Sequence, residues 1–218
     1  KLLFLSLIFS FIFAKNKLKI VEYREVPKEL EALRLKPNII NWSLGNSFLL
    51  LDNYNSELLL LKNSGELRFS GGIGRHHNVY GELIWVGISP IGIQIVDRLE
   101  NEIIVLDFNL NPIHNISLTH NIYPEIVQID PWGRLFMYSS TYNGIYIFEN
   151  DYVSNEPFID FSREFYSKYC VEDFAISSDG GIAILGCDGI FNQFSRNGLK
   201  QRSNPVEIHN PKFLVSIR

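Results

Sequence analysis

Apolar residues recur along the chain in short runs of four or five, separated by clusters of Gly, Asn, Asp, Pro and Ser every eight to twelve positions. The stretch VDRLENEIIVLDFNLN at 96–111 is typical. Two runs flank the acidic, turn-prone residues 98–102, and the second run ends at Asp107 and Asn109. Runs this short, rich in β-branched, aromatic and Leu residues and bounded by turn formers, predict strands rather than helices. Only 27–34 reads as a helix, with Pro27 in the first turn and acids near its start. Residues 18–23 alternate in polarity, as a strand with one wetted face does.

The pattern is itself repeated. LLDNYNSELLLLKNSGE at 50–66 is an earlier copy of 96–111, MYSSTYNGIYIFENDY at 137–152 a looser one, and ILGCDGIFNQFSRNG at 184–198 a worn one. The residues closing the first run of each copy, Asp52, Asp97, Ser139 and Gly186, are 45, 42 and 47 positions apart. Those closing the second run, Leu61, Leu106, Phe148 and Phe194, are 45, 42 and 46 apart. Each copy also has a preceding apolar run that ends in a turn, at 38–46, 82–92, 125–134 and 173–181. Asp130-Pro131-Trp132-Gly133 and Ser178-Asp179-Gly180-Gly181 are tight-turn signals, because Pro presets φ and Gly accepts positive φ. LRFSGG, NPIHNISL and EPFIDF follow the copies as candidate fourth, outer strands. A four-stranded antiparallel unit of about 40–50 residues is the blade of a β-propeller. The predicted fold is therefore all-β, with four blades and the start of a fifth at 210–218, read as part of a six-bladed ring. Domain boundaries follow as 1–14 for a targeting segment, 15–36 for an N-terminal segment, and 37–218 for the blades. Within 15–36, residues 18–23 would supply a ring-closing strand.

GELIWVGISPIGIQIVDRLENEIIVLDFNLN at 81–111 resembles the NHL repeat. Val96-Asp97-Arg98, Asn101 and Leu106-Asp107 fall at that family's positions, and Gly71-Gly72-Ile73-Gly74 resembles its inter-blade linker. The match is good over about one unit, partial at 48–66 and weak beyond. Glu102 stands where the family carries a basic residue, and the third and fourth units lose the Asp of the second strand. The resemblance implies a six-bladed propeller. Such propellers serve as protein-binding, RNA-binding, sugar-binding and sensor modules, and related folds host lactonases, esterases and lyases.

Composition narrows this list. The 218 residues are 46% hydrophobic with a net charge of −4 and no basic run, which opposes nucleic-acid binding through phosphate neutralisation. KLLFLSLIFSFIFAK at the start has a charged first residue, an apolar core at 2–13 and a small residue, Ala14, at a cleavage point. It predicts a signal peptide, since the core is shorter than the ~20 residues a span needs. An uncleaved anchor or a buried strand is the competing reading. The predicted location is periplasmic or secreted, with no stable membrane span after signal removal and a monomer once the ring is complete. The two cysteines, Cys170 and Cys187, can pair in such a compartment, and two buried thiols fit equally well.

Candidate chemistry is sparse. Gly71–Gly74 lacks the Lys-Ser/Thr of a phosphate loop, and a strand rather than a helix follows it. Arg75-His76-His77 is the one dense titratable cluster; neighbouring strand residues point to opposite faces, so a blade-rim loop is the plainer reading. Asn41-Trp42-Ser43 and Asn115-Ile116-Ser117 are glycosylation sequons by pattern. No nucleophile elbow is present. A propeller's first strands line its channel, and their N-terminal ends form one mouth, where Asn38, Glu82, Glu125, Glu172 and Asp173 align. Converging acidic and amide oxygens suit Ca²⁺, which in propeller lactonases polarises an ester carbonyl. Solvation of strand ends alone would place the same residues. The leading expectation is an exported, non-catalytic, cofactor-free propeller that engages a protein or carbohydrate through its loop faces. The aromatics Trp132, Tyr138, Tyr142 and Tyr146, read as exposed, would contribute, with some of them packing between blades instead. The rival is a Ca²⁺-dependent lactonase, esterase or lyase acting at the channel.

Overall fold

The computed structural model describes residues 35–72, 79–118, 121–207 and 210–214, together with Lys28, which is helical. The targeting segment, the strand at 18–23, the rest of the helix at 27–34 and Arg75-His76-His77 lie outside the described residues.

Four antiparallel sheets follow one another, each built in chain order. The first holds β1 (Ile39–Ser43), β2 (Ser47–Asp52), β3 (Glu57–Leu61) and β4 (Leu67–Gly71). The second holds β5 (Leu83–Ser89), β6 (Gly92–Asp97), β7 (Glu102–Leu106) and β8 (Pro112–Ser117). The third runs β9 (Ile126–Ile129), β10 (Leu135–Ser139) and β11 (Gly144–Glu149) to an edge divided between β12 (Tyr152–Val153) and β13 (Ile159–Asp160), both pairing with β11. The fourth holds β14 (Val171–Ile176), β15 (Ile182–Gly186), β16 (Ile190–Phe194) and β17 (Lys200–Pro205). The first strands β1, β5, β9 and β14 lie side by side in that order. Asn41 Nδ2 of β1 also donates to Val86 O of β5. These are four successive blades of a β-propeller.

The middle strands read as unbroken apolar runs because both of their faces are covered. In β6, Ile93 and Ile95 pack towards the first blade with Leu49, Leu51, Leu58 and Leu60, whereas Val96 packs towards the third with Leu135 and Met137. In β10 the alternation repeats: Leu135 and Met137 face the second blade, Phe136 and Tyr138 the fourth. A blade alone would leave one such face wet, and each fully buried Leu, Ile or Phe contributes roughly 1.5–3 kcal/mol. The outermost strands, the polar β17 and the mixed β8, are almost wholly exposed, as sheet edges are.

Three local expectations differ from the structure. The segment EPFIDF forms only the two-residue β13, and a helix follows it. That helix, α1 (Phe161–Phe165), is capped by Asp160, whose side chain accepts from Ser162 N. Tyr138 and Tyr146 are buried between blades rather than exposed. Finally, residues 210–214 form no strand, and the rest of the expected fifth-blade strand, 215–218, lies outside the described residues. Leu214 N donates to the Asp173 carboxylate at 2.7 Å, so a side chain rather than a neighbouring strand takes that backbone group.

Candidate functional site at the mouth of the blades

Each second strand ends in a residue that fastens the hairpin to its blade. Asp97 is fully buried and accepts from Gly81 N at 2.6 Å, Glu82 N at 2.9 Å, and Leu99 N and Glu100 N at 3.1 Å each. Asp52, equally buried, accepts from Lys36 N at 2.8 Å, from Asn55 N at 3.1 Å and from Asn55 Nδ2 at 2.8 Å. A carboxylate out of water is tolerated when its lone pairs are filled, and here backbone donors fill most of them. Ser139 takes the same place in the third blade and donates to Ile122 O at 2.6 Å. In the fourth blade the place falls to Gly186, and the adjacent Cys187 is disulfide-bonded to Cys170, with the Cα atoms 5.5 Å apart.

These clamps fix where the sequence-predicted mouth residues lie. The residues opposite Leu51, Val96, Tyr138 and Leu185 are Ile39, Trp85, Ile126 and Asp173. One residue earlier come Asn38, Ile84, Glu125 and Glu172. Ile84 and Glu172 are the extra residues of bulges, so Leu83 and Val171 stand opposite Asp97 and Gly186, Glu82 lies beyond its paired strand, and Asp173 sits one step inside Glu172. Asn38 Oδ1 accepts from Asn53 N at 3.0 Å, and Glu125 accepts from Ser140 Oγ. Glu172 pairs with Lys212 Nζ at 2.6 Å. Burial raises the pKa of Asp173. The Leu214 and Phe174 amides pull it back, while the Glu172 charge adds to the rise.

Glu82 is held by Arg98, which sequence reasoning passed over as part of a turn. Arg98 donates from Nε to Glu82 Oε2 at 2.8 Å and from Nη2 to Oε1, a two-pronged pair. Its guanidinium lies 4.8 Å from the centre of the Tyr123 ring. The Glu82 hydrogen bonds raise the Arg98 pKa; partial burial opposes them, and the charges of Glu82, Tyr123 and Glu125 add to the rise. Among the described residues no three His, Cys, Asp or Glu side chains converge as a metal ion requires.

Around this network the hairpins between second and third strands present large apolar residues to solvent. Tyr54 is 91% exposed, Leu99 65% and Tyr142 48%, one on each of the first three blades. Tyr123 and Tyr166 are exposed on the same side. Trp132 is exposed too, but in the β9–β10 turn, on the opposite face.

No family model matches the chain, and no curated protein matches it. Solved structures do. Virginiamycin B lyase from Staphylococcus aureus is 11% identical, with a TM-score of 0.55 over 77% of this chain and 55% of its own. YCF48 bound to a D1 peptide is 18% identical, with a TM-score of 0.54 over 77% of this chain and 53% of its own. A Bacteroides fragilis protein described as exported is 16% identical, with a TM-score of 0.53 over 77% of this chain and 50% of its own. This chain thus spans about half the length of the structures it matches. At such identities the likeness shows the fold, a β-propeller, and nothing of the chemistry.

Proposed function

We propose that this chain is an exported binding module, built of NHL-like blades, that holds a protein segment on its mouth face. The observation that carries the reading is the recurrence of one exposed apolar residue per hairpin, Tyr54, Leu99 and Tyr142, on three consecutive blades. Loops gathered on a rigid ring suit recognition, and exposed aromatics spaced along a face are the usual anchors of an interface. The Arg98–Glu82 pair beside Tyr123 adds a polar centre that can register a peptide. A disulfide between solvent-exposed cysteines fits an oxidising compartment, and among the described residues no helix is long and apolar enough to cross a membrane. YCF48 holding a D1 peptide shows that a propeller of similar fold can bind a peptide.

The test is selection of displayed peptides against the complete protein, followed by titration of the enriched sequences. Micromolar binding is expected. Tyr142→Ala should weaken it about tenfold, the effect of losing one well-packed anchor, without altering the circular dichroism spectrum. Binding that ignores Tyr54→Ala, Leu99→Ala and Tyr142→Ala alike would overturn the reading. So would chelator-sensitive hydrolysis or elimination of a lactone or ester, which belongs to the catalytic alternative.

A further inference from the structure

The face opposite the mouth is built from the turns that join first to second strands and third to outer strands. On it, between the second and third blades, lies a groove of 540 Å³ with an apolar wall of Ile91, Ile113 and Trp132, which are 55%, 53% and 55% exposed. The indole is held in place, since a Cβ on Gly180 in the fourth blade's turn would lie 2.9 Å from its ring. A second hollow of 680 Å³ adjoins the groove at the outer edge of the third blade, with Tyr152 and Phe158 in its wall. Arg134, Glu149 and Asn150 line both hollows, so the two form one track.

The charge along this track is one-sided. Among the described residues that line it, Arg134 is the single Lys or Arg. Its charge is already met by the buried Asp130, which accepts from Arg134 Nε at 2.6 Å and from Trp132 N and Arg134 N at 2.9 Å each. What remains is Glu149, Asp151 and Glu156, all exposed, with no Lys or Arg between them in the sequence. Among the described residues none of these three carboxylates has an ion-pair partner.

Asp151 holds its place against local preference. It and Asn150, with φ of 61° and 53°, form the two-residue turn between Glu149 and Tyr152, which pair across it. Such a turn needs positive φ at both places and takes Gly most readily at the second. An aspartate there gives up turn preference and keeps a carboxylate on the groove.

Unpaired carboxylates along an apolar track match cations carried on apolar stems. A lysine side chain has that form, because its stem lies along apolar surface while its ammonium reaches the carboxylates. In an extended segment, side chains two positions apart share one face, so successive lysines enter the two hollows. A small cation would fill one hollow and leave the other.

We propose that this track docks an extended segment of a protein partner with lysines at alternate positions, their stems against Trp132 and Tyr152 and their ammonium groups on Glu149, Asp151 and Glu156. The site does not rest on the mouth-face reading, since the two occupy opposite faces.

The test titrates the complete protein with a short fluorescein-labelled peptide that alternates lysine and threonine. Its companions are the same peptide with glutamate for lysine, the same peptide with diaminopropionate for lysine, which keeps the charge and loses most of the stem, and spermidine. Saturable binding of the lysine peptide is expected, with a change in tryptophan emission that Trp132→Ala removes. The glutamate peptide should not bind, and the diaminopropionate peptide should bind several-fold more weakly. Glu149→Gln with Asp151→Asn should weaken the lysine peptide about tenfold, the worth of two surface ion pairs, whereas Tyr142→Ala at the mouth should leave it unchanged. Asp151→Gly should weaken it about threefold, yet leave the melting temperature unchanged or higher. A carboxylate that served only the turn would lower the melting temperature on removal and leave binding alone. The proposal fails if the lysine peptide does not bind, or if its binding ignores the groove substitutions or follows Tyr142 instead. It fails equally if the diaminopropionate peptide binds as tightly, or if spermidine does.

Discussion

Asn101 shows how one backbone angle is reused through the repeat. It closes its hairpin with φ of 55°, and Ser56, Asn143 and Gly189 close theirs with φ of 48°, 52° and 74°. In each blade that residue's carbonyl accepts from the segment leaving the outer edge, from Gly72 N, Leu118 N, Phe161 N and Val206 N at 2.9–3.1 Å. Asn and Gly bear positive φ at little cost, which is the physical reason that Asn or Gly closes three of the four hairpins. Asp97 is the partner device on the other side of the same hairpin. Asp97→Ala should cost about 3 kcal/mol, because four backbone amides lose a charged acceptor in a buried place. Urea denaturation checks this. A loss below about 1 kcal/mol, the size of one neutral hydrogen bond, would mean that water replaces the carboxylate and that the clamp is not structural.

At the scale of the element, the third and fourth blades solve the clamp differently. The fourth has Gly186 where the second has Asp97, and the Cys170–Cys187 disulfide joins its first two strands instead. With the cysteines 17 positions apart, removing the bond by Cys170→Ser and Cys187→Ser should cost about 3 kcal/mol. Deleting the partly exposed Arg98–Glu82 pair should cost about 1 kcal/mol. Parallel thermal melts of the two variants, with and without reductant, give the comparison; equal losses would remove the disulfide's special standing. The blades were legible in sequence because middle strands covered on both faces leave runs such as IIVL and LLLL, bounded by turn residues. What escaped has specific causes. Helix α1 has only five residues, too few for a helical period to show, and Asp160 caps it from within an apparent strand. The bulge at 83–85 shifts the register of Glu82 by an amount no spacing reveals. Arg98 meets Tyr123 across 25 positions, a contact made only by stacking blades. Tyr138 and Tyr146 alternate with their neighbours as surface residues would, and only the facing blade buries them.

Over the whole molecule, stability resides between blades rather than within them. Leu49, Leu51, Leu58 and Leu60 of the first blade share one cluster with the second, Trp85 and Val96 of the second share another with the third, and Phe136, Tyr138 and Ile145 of the third share a third with the fourth. In a stack coupled in this way each unit's fate depends on its neighbours. Phe136 sits at the last of these junctions, fully buried, its ring centre 5.8 Å from that of Phe158. Phe136→Ala should therefore cost about 3–5 kcal/mol, the usual price of a large cavity, and it should lower the midpoint for every blade together. Tryptophan emission from Trp85 and Trp132 reports on the second and third blades, while far-ultraviolet circular dichroism reports on all four. Coincident transitions, shifted equally by the substitution, are the expected result. If emission from Trp85 held while circular dichroism fell, the fourth blade would be melting alone. Coupling between neighbouring blades would then be too weak to hold all four on one rigid frame.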